Sequence, residues 1–124
     1  MIRKRLSDLA TVGYKAGVAL LKPGVPVKEI WRTALEAQRK HDPDYNPCWG
    51  FVGHGISLRI HEPLTLTDHE ELILKPGMVL TVEVAGCDVP QWRVMGEFPE
   101  DMYVITDSGY EILTADCPKK LWIC

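Results

Sequence analysis

The order of residue patterns predicts an α+β fold, two helices followed by several antiparallel strands. Three observations carry that prediction. Apolar residues recur at spacings of three and four through the first forty residues, alternate with polar ones later, and are separated by Pro- and Gly-rich breaks.

The first helix is expected over Ile2 to Leu21, where Ile2, Leu6, Leu9, Gly13, Ala16 and Leu20 share one face. Lys22-Pro23-Gly24 ends it, because proline cannot continue a helix and glycine accepts a left-handed cap. Pro26 opens a second helix, a position that suits proline. Val27, Ile30, Trp31, Ala34 and Leu35 form its apolar stripe, and Lys28, Arg32, Arg39 and Lys40 a solvated face. His41 to Pro47 reads as a loop in which His41, Asp42 and Asp44 make a polar turn rather than a ligand set.

From Trp49 onward the pattern is β-like. Ile56 to Ile60 is a short β-favouring run, and His69 sits in a polar surface loop or short helical turn without a role. Lys75-Pro76-Gly77 is a turn. Met78 to Val84 then alternates, with Met78, Leu80, Val82 and Val84 on one side and Val79, Thr81 and Glu83 on the other. Gly86 to Pro99 is irregular. Asp101 to Thr106 and Tyr110 to Thr114 are strands, joined by Asp107-Ser108-Gly109 as a hairpin.

The chain has 124 residues, enough for one domain with a core of its own. A net charge of -3 gives no footprint for nucleic acid. No apolar run approaches a membrane span, and no signal peptide is visible, so the expected location is the cytoplasm. Cys48, Cys87, Cys117 and Cys124 contain no Cys-x-x-Cys pair, which excludes a structural zinc site, and they are expected to be reduced thiols.

Chemistry concentrates in Phe51 to Glu62, where His54 lies between two glycines and His61 follows seven residues later. Glu83 and Glu100 lie on or beside later strands. One imidazole and two carboxylates suit a divalent transition-metal ion. The same residues also fit satisfied core or surface side chains, and a two-metal hydrolytic site needs more carboxylates than these two.

The stretches Gly53-His54-Gly55-Ile56, Ile60-His61-Glu62-Pro63, Lys75 to Glu83 and Glu100 to Thr106 resemble the C-terminal half of the M24 metallopeptidases. Their fold is the pita-bread fold of methionine aminopeptidase, aminopeptidase P, prolidase and creatinase. The likeness runs from about Gly13 to Leu121, and the histidine spacing is similar to that of the aminopeptidase P and prolidase branch. The resemblance implies His54, Glu83 and Glu100 as ligands of two divalent ions (Mn, Co, Zn or Fe), with Glu100 bridging them. It implies His61 as the catalytic group that stabilises charge on the substrate carbonyl.

The resemblance also implies an X-Pro aminopeptidase or dipeptidase acting on peptides or small amides. The family site takes two further aspartates from its N-terminal half. Asp8 lies on the first helix and is not one of them. Residues 1–124 are therefore expected to be a single domain, the C-terminal portion of a catalytic unit, inactive alone. Its expected partner is a complementary N-terminal half or a second copy of itself. The alternatives are a non-catalytic half that works as an interaction module, and a relative acting on a small non-peptide substrate. Two departures bear on the site. Phe98-Pro99 precedes Glu100-Asp101 where prolidases carry Arg-x, with Arg93 displaced upstream and Glu97 a competitor for the ligand role. Val84 follows Glu83 where peptidases carry proline, so substrate choice is expected to differ.

Overall fold

The computed structural model describes residues 2–87 and 98–117. Helices α1 (Ile2–Val18) and α2 (Val27–His41) precede strands β1 (His54–Gly55), β2 (Glu62–Thr65), β3 (Val79–Glu83), β4 (Glu100–Ile105) and β5 (Tyr110–Ile112). The strands form one antiparallel sheet in the order β2-β1-β3-β4-β5.

Helix α1 is shorter than its sequence pattern. Its last turn tightens, with Leu20 N–H and Leu21 N–H donating to Gly17 O and Val18 O, three residues back. Pro26 is the cap of α2 rather than its first helical residue. Its backbone is extended (φ -63, ψ 131) and bridges Ile73. Val27, Ile30, Ala34 and Leu35 of α2 are buried as the stripe requires, and so is Gln38. Gln38 is satisfied by donating to the carbonyls of Leu9 and Ala85. The basic face of α2 is solvated, with Lys28 paired to Glu71 and Arg32 to Glu29. Asp42 caps the end of α2 and pairs with Arg5, so the His41–Asp44 region is a structural turn.

The helices cover one face of the sheet. Leu80, Val82 and Val84 of the β3 segment and Tyr103 and Ile105 of β4 pack with Val27, Ile30 and Ala34 of α2. Helix α1 comes close because small residues line its contact face. A Cβ on Gly13 would lie 2.9 Å from both Gln38 Cγ and Val84 Cγ1. At Gly86 the approach is closer still, with a Cβ falling 1.9 Å from Leu6 O.

Two expectations need correction. Ile56 to Ile60 is no strand. It is an exposed loop joining β1 to β2, and Leu58 and Ile60 are 100% and 78% exposed. The pairing of Gly55 with Glu62 makes the intervening residues the hairpin tip, and a bulge between His54 and Gly55 shifts the register there.

Cys48 and Cys87 are joined as a disulfide, with Cα atoms 5.9 Å apart, whereas Cys117 is free and exposed. Gly55 pairs with Leu80, and Glu83 N–H donates to Val52 O. Extended outward, that register sets residue 48 opposite residue 87. The lack of a local Cys-x-x-Cys pair excludes a zinc knuckle but says nothing about long-range partners. Cys124 lies outside the described residues, as do Glu97 and Arg93.

Candidate metal centre

The face of the sheet away from the helices carries the chemistry. Val79↔Val104, Thr81↔Met102 and Glu83↔Glu100 are opposed across β3 and β4, so the two glutamates are direct cross-strand neighbours. Like charges in that position destabilise a sheet. Among the described residues no lysine or arginine pairs with either carboxylate. His54, on the neighbouring β1, lies close to both. One ligand atom from each of His54, Glu83 and Glu100 lies within 4.8 Å of the other two.

His54 is held from three directions. Gly53 precedes it at φ +152, a backbone that side chains rarely adopt. A Cβ there would lie 2.2 Å from Thr81 O, so glycine is required for β1 to reach β3. His54 N–H donates to Thr81 Oγ1 (3.4 Å). The ring Nδ1 lies 3.0 Å from Gly55 O. A carbonyl only accepts, so Nδ1 carries the proton in that contact, and Nε2 faces Glu83 Oε2 at 3.5 Å. In the neutral ring a lone pair then points at a carboxylate, an arrangement that a cation between them resolves.

The Glu83 carboxyl is pushed above its ordinary range. Burial is the largest cause and the Glu100 charge the next, opposed by His54 and His61. The donor set fits a divalent ion, with one ring nitrogen and two carboxylates of which one is held at electrostatic cost. Its members differ in access, since the His54 side chain is 5% exposed and that of Glu83 14%, whereas Glu100 is exposed.

His61 lies at the rim. It is exposed, and its ring centroid is 4.1 Å from that of His54, with the planes tilted by 51°. The loop before it is tied by Glu62, whose carboxylate accepts from Arg59 N–H (3.0 Å) and Ser57 Oγ (3.3 Å). The four site residues named from sequence therefore lie together, three converging and the fourth beside them. Asp8 is paired with Lys4 on α1 and is not among them.

Sequence reasoning missed two supports. The first is an aromatic run beside the site. Phe51 meets His61 edge-on (6.4 Å), Trp49 stacks on Phe51 (5.3 Å), and Phe98 lies against Trp49 (4.9 Å). Its signal was present in the aromatic residues just before His54 and Glu100. The second is a polar cluster behind β4. Tyr14 and Thr114 hydroxyls donate to Asp101 Oδ2 (2.5 Å) and Oδ1 (2.6 Å), and the Tyr14 and Tyr103 hydroxyls are hydrogen-bonded. Burial, then the bond to Asp101, raises the Tyr14 phenol far beyond its usual range, and burial pushes Tyr103 up to about 12. Both stay protonated, so the cluster works as a fixed anchor for β4 next to Glu100. Nothing local in the sequence links Tyr14 to Asp101.

The model of metallopeptidase family M24 matches residues 2–107. The chain belongs to this family. The M24 match begins earlier and ends earlier than the motif resemblance. The prolidase of Pyrococcus furiosus superposes with a TM-score of 0.73 at 30% identity, over 90% of this chain and 32% of that one. The X-Pro aminopeptidase of Thermotoga maritima superposes with a TM-score of 0.80 over 94% of this chain and 32% of its own. At 24% identity it shows the pita-bread fold alone. A peptidase of Bacillus subtilis is 38% identical over 123 residues, which are 96% of this chain and 33% of that protein. The chain thus spans about a third of the length of these M24 relatives. M24 enzymes are divalent-metal hydrolases, and the fold here is part of the pita-bread domain.

Proposed function

We propose that this chain carries the His54–Glu83–Glu100 share of a divalent metal site and takes part in hydrolysing the N-terminal bond of X-Pro peptides or related small amides. One observation supports this above the others. Glu83 and Glu100 are paired across two strands with no lysine or arginine partner among the described residues, and a His54 ring nitrogen lies close to them.

Manganese, cobalt, zinc or iron ions held there would supply Lewis-acid polarisation and water activation at neutral pH. The chain's own groups have distinct parts. Glu83 and Glu100 would supply negative charge, Glu83 from the more buried side and Glu100 from the exposed side. His54, fixed by Gly55 O and Thr81, supplies a preset nitrogen. His61 donates a hydrogen bond to the substrate oxygen as charge develops on it. The Trp49–Phe51–Phe98 run would offer an apolar wall beside His61.

Three ligands neutralise too little charge for two ions. In this reading the remaining carboxylates come from a complementary N-terminal half, and the chain alone turns over little or nothing. The exposed Leu58 and Ile60 beside His61 support association, with that half or with a second copy. The proposed location is the cytoplasm.

The test is metal content by mass spectrometry after loading with manganese and desalting, beside X-Pro hydrolysis by the chain alone. Retained metal that is lost in His54→Ala supports the reading. Robust turnover by the isolated chain would overturn its dependence on further carboxylates. A monodisperse monomer in light scattering would overturn self-association.

A further inference from the structure

Cys48 and Cys87 bracket the site. Cys48 lies six residues before His54, and Cys87 four residues after Glu83. Their bond spans a sequence separation of 39 and closes a loop that contains β1, β2 and β3. His54, His61 and Glu83 are inside this loop and Glu100 is outside it. Glu100 is reached through its cross-strand pairing with Glu83 and through Trp49, which follows Cys48 and lies against Phe98, two residues before Glu100.

The segment around Cys48 is only partly covered, with residues 46–50 half-buried or exposed. Pro47 and Trp49 line a narrow, partly open pocket together with Trp31, Leu35 and Val84. A segment that is not fully buried makes fewer van der Waals contacts and relies more on specific tethers. The Tyr45 hydroxyl donating to Ala85 O (2.9 Å) is such a tether, and so is the disulfide. The two sulfurs differ in access. Cys87 is 3% exposed, and Cys48 is only half-buried.

We propose that Cys48 is a thiol-exchange site, and that the redox state of the Cys48–Cys87 pair sets how firmly the segments bearing His54, Glu83 and Glu100 are held. The reagent class is a low-molecular-weight thiol. Its thiolate attacks Cys48 Sγ, a new S–S bond forms, and the old one breaks. The electron pair leaves on Cys87 Sγ, which takes up a proton. A second thiolate attacks the mixed disulfide, the Cys48 sulfur is released and protonated, and the small molecule departs as its own disulfide. Two electrons and two protons enter the protein, and two small thiols are oxidised. Oxidised glutathione reverses the exchange. The Tyr45 tether survives reduction, so the loosening is local to the site rather than global.

The metal readout of this inference rests on the ligand assignment proposed above, and the exchange readout does not. The experiment uses the full chain in a Cys117→Ser, Cys124→Ser background, poised with oxidised or reduced glutathione, and measures amide hydrogen exchange and Mn²⁺ affinity. Manganese is the probe because thiolates bind it poorly. Reduction is expected to raise exchange at residues 48–55 and 83–87 by about fivefold or more, with the α2 amides unchanged. It is expected to weaken Mn²⁺ about tenfold, the range seen when groups that orient ligands are lost. A Cys48→Ser variant should match the reduced protein and ignore the reductant.

Equal exchange in both states would overturn the proposal, as would two alkylatable thiols persisting in oxidised glutathione. Mn²⁺ bound equally in both states would overturn the coupling to the site. Increased exchange with Mn²⁺ bound in neither state would support the clamp and remove the metal assignment instead.

Discussion

The two faces of the β3–β4 pair share a backbone and differ in how their groups are satisfied. On the helix side Leu80, Val82, Tyr103 and Ile105 are each 1% exposed or less. The carboxylate on that side, Asp101, receives hydroxyl donors from Tyr14 and Thr114. On the other side Glu83 and Glu100 oppose each other, and the donor nearest them is an imidazole. One face spends its residues on folding. The other holds like charges together at a cost, and a protein keeps such an arrangement where something outside the chain resolves it.

The contrast can be tested from both sides. Leu80→Ala should have the largest effect on stability, a loss of about 2–5 kcal/mol in urea unfolding, because it empties a fully buried position. His54→Ala should weaken Mn²⁺ binding roughly a hundredfold, about 2.7 kcal/mol. The same substitution should leave the urea midpoint closer to wild type than Leu80→Ala does. If His54→Ala unfolded the chain as readily, the second face would be core and the contrast would fail.

A smaller effect of opposite sign is expected from Glu83→Gln. Removing the repulsion with Glu100 should stabilise the metal-free chain at neutral pH by roughly 0.2–1 kcal/mol while abolishing Mn²⁺ retention. A site residue whose removal stabilises the fold is the sharpest form of the comparison.

The pH dependence has a defined sign. The folded Glu83 carboxyl titrates above its ordinary value of 4.5, so the folded state binds this proton more tightly than the unfolded chain. Its contribution to metal-free stability is greatest below 4.5 and is lost as pH rises through the raised value. Mn²⁺ competes for the same carboxylate, so its affinity should climb over the same window. Isothermal titration across that range in wild type and Glu83→Gln checks this, and an unchanged affinity in wild type would refute it. The smallest effect is expected from His61→Ala. Mn²⁺ affinity should stay within about twofold, because His61 sits at the rim rather than among the converging atoms.

Much of this was legible in local sequence. The i, i+3, i+4 spacing located both helices, and the alternation of Met78 to Val84 put Glu83 opposite the apolar row. The motifs around His54, His61, Glu83 and Glu100 pointed to the family. Local reading went wrong where its signal was propensity without context. Ile56 to Ile60 has β-favouring residues, yet the register of β1 against β2 leaves them as the hairpin tip. The cysteines looked solitary because the pairing of Cys48 with Cys87, 39 residues apart in sequence, is a property of how β1 meets β3.

The sequence by itself determined which residues face a core and which are available for chemistry, because helix and strand periodicities are fixed by backbone geometry. It also determined the residue types of the site. Only the tertiary structure decided that Glu83 stands opposite Glu100, that His54 reaches both, and that Tyr14 anchors Asp101 from behind. Side chains alternate with a period of two, so a one-residue slip between β3 and β4 would send Glu100 to the helix side and Asp101 to the site. That register is set by the packing of Leu80 and Val82 against Tyr103, Ile105 and the helices, a long-range outcome that no local stretch encodes.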